Sequence, residues 1–132
     1  MGGAVTSGGA AAALLRQIES LAGAVTDALY DERPELQAKH GASGREKCLQ
    51  DMRYNIEHLA AAVDLGVPEM FREYTAWLDG LLRARNVATD DLLHSFQLMK
   101  SVVQSRLPAA QSGLIVSVLQ SGIHTLSGEV AR

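Results

Sequence analysis

Apolar residues recur at helical spacing along almost the whole chain, and this periodicity constrains the fold more than any other feature of the sequence. In a helix, residues three or four positions apart lie on one face, whereas a half-buried strand alternates apolar and polar residues. No sustained alternation of the strand kind occurs. With 132 residues the chain is long enough to bury one core without disulfides. The sequence therefore predicts a single all-α domain.

The first apolar stripe predicts a helix that follows a flexible lead-in. Residues 1–13 are rich in glycine and alanine and are expected to form that lead-in, so the folded domain is predicted to span residues 14–132. The stripe consists of apolar residues at helical spacing, namely Leu14, Ile18, Leu21, Val25 and Leu29. Pro34 cannot continue a helix without losing a hydrogen bond, so the helix should end before it. The segment from Glu35 to Gly44 is predicted to be a connector.

Four further helices are predicted downstream. Their expected spans are Gly44 to Leu65, Pro68 to near Asn86, Thr89 to the residue before Pro108, and a last helix with an apolar stripe from Leu114 to Val130. Gly66 is the predicted stop of the first of these, Pro68 a favoured first-turn residue, and Thr89 a predicted N-cap. Short connectors make consecutive helices neighbours, so a bundle-like or globin-like body is expected, and periodicity does not choose between the two.

Charge and cysteine content narrow the classes of function. The chain has 12 basic and 15 acidic residues, a formal net charge of −3, and no basic cluster, which argues against a nucleic-acid partner. No window offers the run of about 18 apolar residues that a membrane span requires, so no membrane partner is expected. One cysteine cannot form an internal disulfide, which favours a reducing compartment, and cytoplasm is the default prediction.

No pattern typical of an enzyme or of a metal site is found. The sequence has no Ser/His/Asp order, no phosphate-cradling glycine loop and no His/Cys set at metal-ligand spacing. Asp90 and Asp91 are interpreted as first-turn partners of a helix dipole. We therefore predict neither catalytic activity nor a metal ligand.

Polar residues gather on one shoulder of the helix predicted over 44–65. Its buried face is formed by Leu49, Met52, Ile56, Leu59 and Val63. Cys48, Asp51, Asn55 and His58 follow one another at helical spacing beside that face, so they are expected to face a common space, with Lys47 and Tyr54 nearby. A free cysteine is also a small apolar residue, and histidine and tyrosine also cover cores. Binding and packing interpretations both remain open.

Two stretches resemble known proteins. Cys48, Asp51 and Tyr54 form a Cys-x-x-Asp-x-x-Tyr motif that is similar to the bilin-attachment segment of phycobiliproteins, which are globin-fold light-harvesting proteins. From Pro34 to Pro108 the chain resembles a bacterial globin-like sensory domain, at Gly44, Arg45, Cys48, Asp51, Tyr54, Leu59, Gly66, Phe71, Tyr74, Trp77, Leu81, Leu82 and Val87. Such domains are often joined to cobalamin-binding domains, and some bind biliverdin. The resemblance implies a globin-like photosensory or bilin-carrier domain.

The resemblance also implies roles for single residues. Cys48 is the candidate for a thioether bond to the tetrapyrrole, and the Asp51 carboxylate would accept hydrogen bonds from pyrrole N–H groups. Lys47 is expected to favour the Cys48 thiolate. Where phycobiliproteins place an arginine that holds a propionate, this chain has Gln50. Propionate binding would then fall to Arg45, Lys47 or Arg53.

A cleft is expected between the helix over 44–65 and the helix over 68–85. The remaining pocket candidates are aromatic or polar residues of these two helices, namely Tyr54, Asn55, His58, Tyr74 and Trp77. Aromatic rings suit a planar conjugated ligand, although burial explains them equally well.

Two other functions remain as alternatives. Haem needs an axial ligand, usually histidine, and the 68–85 helix contains none, although His58 and His94 lie on the adjacent helices. A ligand-free regulatory or dimerisation module is the other alternative, with the apolar last helix as its packing surface. A two-fold homodimer is the default expectation for a soluble oligomer.

Overall fold

The computed structural model describes residues 6–128, and these residues form six α-helices and no strand. The helices are α1 (Ser7–Arg16), α2 (Ile18–Glu32), α3 (Glu35–Leu65), α4 (Pro68–Ala84), α5 (Thr89–Arg106) and α6 (Ala109–Ser127). The all-α prediction is confirmed. Helix α3 packs against α1, α2, α4 and α6, and α6 also packs against α1, α4 and α5. Within residues 6–128, no helix combines the length and the apolar character needed to cross a bilayer.

The main core lies between these helices. Its largest fully buried apolar side chains are Phe71, Phe96, Leu14, Leu21, Ile56, Leu59, Met99, Ile115 and Leu119. On α3, the predicted stripe is buried at Met52, Ile56, Leu59 and Val63, while Leu49 is half-buried at the core margin. The helical period of the apolar residues therefore identified the correct face of α3.

Helix ends confirm some of the predicted caps. Gly66 adopts the left-handed conformation with φ 69° at the end of α3, and Pro68 begins α4. The Thr89 prediction is wrong, because Ala88 is the N-cap and Thr89 is the first helical residue. Its hydroxyl instead donates to the Asp79 carboxylate of α4 at 2.6 Å. Val130, the last residue of the predicted terminal stripe, lies outside the described residues.

The flexible lead-in predicted for residues 1–13 is wrong for residues 7–13, which belong to α1. The Thr6 side chain caps this helix by accepting a hydrogen bond from the Gly9 N–H at 2.9 Å. Ala10, Ala11 and Ala13 are buried, and their small side chains let α1 pack closely against α3. Residues 1–5 lie outside the described part of the chain.

The single helix predicted from Leu14 to Leu29 is two helices. Gln17 separates α1 from α2 with φ −109° and ψ 16°, and its N–H bonds to the Leu14 carbonyl three residues back. The turn therefore tightens at this point, although the apolar stripe continues across it.

The connector predicted over 35–44 is also wrong, because α3 begins at Glu35. Gly41 interrupts the helix with φ 71° and ψ −172°, a conformation that is essentially restricted to glycine. Before this interruption, Leu36 packs on Leu29 and Tyr30 in a small cluster separate from the main core, hereafter the satellite cluster. This apolar contact stabilises a short helical stretch that local propensity does not predict.

Candidate functional site

A cavity of about 320 Å³ is lined by both the satellite cluster and the margin of the main core. We call it the Cys48 cavity. Its lining residues come from α2 to α5, namely Leu29, Tyr30, Leu36, His40, Ser43, Gly44, Lys47, Cys48, Asp51, Met52, Leu82, Arg85, Val87, Asp91, Leu92 and Ser95. The predicted contribution of the 68–85 segment is thus limited to its end. The volume lies at the small end of the range for small-molecule sites.

Cys48 and Asp51 share one wall of this cavity, as their one-turn separation on α3 predicted. Lys47 lines the cavity as well. Around these polar groups most of the surface that lines the cavity is apolar. The arrangement offers a thiol, a carboxylate and an ammonium group at the margin of an apolar space.

The Cys48 thiol is protonated at neutral pH. Burial is the largest cause of a rise in the pKa of Cys48 to about 11; the Asp51 carboxylate also raises this pKa, whereas the Thr26 hydroxyl and the Arg45 guanidinium lower it. The expectation that the thiolate would be favoured, by Lys47, is therefore wrong, because desolvation outweighs the favourable effects and the cation that lowers this pKa is Arg45. The thiolate is the nucleophilic form of cysteine, so this thiol is a weak nucleophile at pH 7.

Burial and nearby cations shift the pKa of Asp51 in opposite directions. Partial burial raises the pKa of its carboxyl, while the Arg85 guanidinium and the Lys47 ammonium lower it. Among the described residues neither cation forms an ion pair with a carboxylate within 4 Å. Arg85 was missed by the sequence analysis because it follows α4, and only the tertiary fold brings it to Asp51.

The other two expected propionate partners lie outside the cavity lining. Arg45 forms an ion pair with Asp27, and its guanidinium carbon lies 5.1 Å from the centre of the Tyr30 ring. Arg53 forms an ion pair with Glu19. Of the three arginines and lysines proposed for this role, only Lys47 lines the cavity.

The remaining candidates gather around Tyr74, outside the cavity lining. Asn55 is fully buried, and the Tyr74 hydroxyl donates a 2.6 Å hydrogen bond to its Oδ1. The His58 ring stacks on the Tyr74 ring with 3.9 Å between centroids and 13° between planes. The common space expected for Cys48, Asp51, Asn55 and His58 is therefore wrong for the last two, which turn towards α4.

A shallow surface depression, the Tyr74 patch, is formed by His58, Met70, Glu73, Tyr74 and Trp77. Trp77 is 61% exposed, and its ring lies 6.0 Å from that of Tyr74. Tyr54 is 52% exposed and lines neither the patch nor the cavity. Asp51 connects the two sites electrostatically, because burial, Asp51 and Glu57 together raise the pKa of Tyr74.

His40 lines the Cys48 cavity and was not singled out from the sequence. Its Nε2 atom is buried and has no hydrogen-bond partner among the described residues. The two histidines considered for haem lie elsewhere, since His58 belongs to the Tyr74 patch and the Nε2 of His94 lies 2.9 Å from Glu32. No local spacing links His40 to Cys48, because Gly41 interrupts the helix between them.

The sequence matches no protein-family model, and comparison with curated proteins gives no match either. Function is therefore inferred from the residues of the Cys48 cavity.

Proposed function

We propose that this chain is a globin-like domain that binds a linear tetrapyrrole, such as biliverdin, in the Cys48 cavity and serves as a photosensory or bilin-carrier domain. The observation that carries the proposal is the shared wall on which Cys48 and Asp51 meet one apolar cavity. This placement supports the hydrogen-bonding role that the Cys-x-x-Asp-x-x-Tyr resemblance implies for Asp51.

The lining complements the chemistry of a bilin. Its apolar side chains suit the conjugated rings, and the Asp51 carboxylate can accept charge-assisted hydrogen bonds from pyrrole N–H groups. Such a carboxylate also favours a protonated chromophore. Lys47 and Arg85, which have no ion pair of their own within 4 Å among the described residues, complement the propionates. Because the cavity is small, part of the pigment would extend past its rim.

The pigment is held without a covalent bond in this proposal. Burial raises the pKa of Cys48 to about 11, so at neutral pH few molecules carry the thiolate needed for thioether formation. Apolar burial and the Asp51 hydrogen bonds then supply the affinity. Acidified urea is expected to release the pigment from the wild-type protein.

The proposal is tested by titrating the purified chain with biliverdin and recording its absorption spectrum. Wild type should give a red-shifted, intensified long-wavelength band. Asp51→Asn should weaken affinity about ten-fold or more, since a hydrogen bond to a charged group contributes about 1.5–3 kcal/mol. Cys48→Ala should bind within about three-fold of wild type, because a contribution below 1 kcal/mol is expected for a non-covalent thiol contact.

Asp64→Asn is the matched control, since Asp64 is an exposed carboxylate on the same helix and lies outside the cavity lining. It should bind as wild type does. A wild-type protein that leaves the biliverdin spectrum unchanged would overturn the proposal. Equal losses in Asp51→Asn and Asp64→Asn would remove the specific role of Asp51.

In this proposal the absorption of light changes how the domain interacts with a partner. Isomerisation of the bound bilin would shift its contacts with Asp51 and bias how the domain packs on a partner, such as a cobalamin-binding domain or a second copy of the chain. A light-minus-dark difference spectrum of the loaded protein tests this step. A carrier without sensory function would give no photoproduct.

A ligand-free packing module is the second candidate, and the exposed Tyr74 patch favours it. Trp77 and Met70 expose 61% and 39% of their surface, which is typical of a contact surface. Sedimentation of wild type and Trp77→Ala tests this candidate. It predicts a concentration-dependent dimer that the substitution weakens.

A further inference from the structure

The stretch of α3 around Gly41 bears features that weaken a helix. Gly41 has φ 71° and ψ −172°, so any other residue there would be strained. At Gly44 an added Cβ would lie 2.3 Å from the His40 Cβ, so this position also requires glycine. Two glycines cost a helix conformational entropy. Together they allow His40 to lie against the backbone of Gly44.

The His40 side chain lacks a hydrogen bond in this arrangement. Its Nε2 is buried without a hydrogen-bond partner among residues 6–128, although the great majority of buried polar atoms in native proteins have one. His40 also lines the Cys48 cavity, as does Gly44. A molecule bound in the cavity would therefore lie beside the His40 side chain.

Close packing alone does not explain these features. In this segment Leu36 supplies the buried apolar contact, through the satellite cluster with Leu29 and Tyr30. An apolar side chain at position 40 would extend that cluster without leaving an unpaired nitrogen. The imidazole instead fits a site whose occupant supplies the missing hydrogen bond.

We propose that His40 is a ligand-binding residue of the Cys48 cavity and that its imidazole exchanges a hydrogen bond with the bound molecule. This inference rests on the proposed function and deepens it. The lactam carbonyl and N–H group of a terminal ring of biliverdin supply the required chemistry. Cys48 and Asp51 then contact the ligand from one segment of α3, and His40 contacts it from the other.

The test compares His40→Leu and His40→Gln with wild type in biliverdin affinity, absorption maximum and ligand-free melting temperature. His40→Leu should weaken binding about ten-fold, since it leaves a polar group of the ligand unpaired. It should also shift the absorption maximum while leaving the ligand-free melting temperature unchanged or higher. His40→Gln retains a donor and an acceptor and should restore most of the affinity.

His94→Gln is the control, because His94 pairs with Glu32 and does not line the cavity. If wild type binds biliverdin and His40→Leu binds equally well with an unchanged spectrum, the His40 assignment is overturned and the pigment proposal stands. The assignment is also overturned if His40→Leu and His40→Gln lose affinity only in proportion to a lower ligand-free melting temperature. If wild type does not bind biliverdin, both proposals fail.

Discussion

Two places in the molecule bring a glycine against a neighbouring side chain beside a buried polar atom that has no hydrogen-bond partner among the described residues. On α6, a Cβ at Gly122 would lie 2.7 Å from the Phe71 ring and 2.9 Å from Thr75 Oγ1, and this hydroxyl is the unpartnered atom. On α3, Gly44 lies against His40, whose Nε2 is unpartnered. Both residues are glycines that lie within a helix.

Their surroundings differ. Phe71 is fully buried, and its ring lies 5.5 Å from that of Phe96 and 6.0 Å from that of Tyr74, so close packing of α4 on α6 explains Gly122. Gly44 borders the Cys48 cavity, with a volume of about 320 Å³. The comparison teaches that a glycine within a helix can serve either the packing of two helices or the space that a ligand needs.

The largest expected effect distinguishes the core around Phe71 from the Cys48 cavity. Phe71→Ala should lower the free energy of unfolding by about 3–5 kcal/mol, because it opens a void in the centre of the core. Leu36→Ala removes a side chain that already borders empty space, so we expect a loss of about 2 kcal/mol, at the low end for such substitutions. Urea denaturation measures both. Equal losses would show that the cavity side is packed as firmly as the core.

The second effect depends on pH and concerns the cavity wall. The folded state raises the pKa of Cys48 from 9.0 to about 11, so its protonated thiol contributes stability that is present below pH 9 and is lost as pH rises through 11. Two pH units correspond to about 2–3 kcal/mol. Between pH 8 and 11 the unfolding free energy of wild type should therefore fall further than that of Cys48→Ala, by up to this amount. Parallel curves would place the thiol in contact with solvent.

The third effect tests the glycine comparison itself. Gly122→Ala should destabilise the protein by about 1–3 kcal/mol, because the methyl group overpacks Phe71 and Thr75. Gly113→Ala on the same helix meets no atom within 4 Å, and it should stabilise by about 0.5–1 kcal/mol through helix propensity. Thermal denaturation of the two variants gives the comparison directly. A stabilising Gly122→Ala would mean that α4 and α6 can separate without cost.

Local sequence signals predicted much of the fold. The period of apolar residues gave the buried face of α3, and the left-handed Gly66 and the first-turn Pro68 bounded the α3–α4 connection as expected. The predicted N-cap at Thr89 was wrong, because the Thr89 hydroxyl donates its hydrogen bond to Asp79 of another helix. The helix over residues 7–13 was not predicted because the stretch is rich in glycine and alanine, whereas burial of its alanines against other helices gives it structure.

The candidate site was predictable only along one helix. Lys47, Cys48 and Asp51 are local neighbours, and the helical wheel placed them together. Arg85 lies after the end of α4, and His40 lies before the interruption of α3 at Gly41. No spacing rule therefore connects either residue to Cys48. Asn55 and His58 obey the helical spacing, yet hydrogen bonding and stacking with Tyr74 hold them on the α4 side.

The exposure of Trp77 has a practical consequence. It is the only tryptophan of the chain, so intrinsic indole emission reports on one surface position next to Tyr74. A pigment in the Cys48 cavity would quench this emission by energy transfer, whereas a protein docked on the Tyr74 patch would shift its colour by excluding water. The molecule therefore carries a built-in optical reporter that separates its two candidate roles without any label.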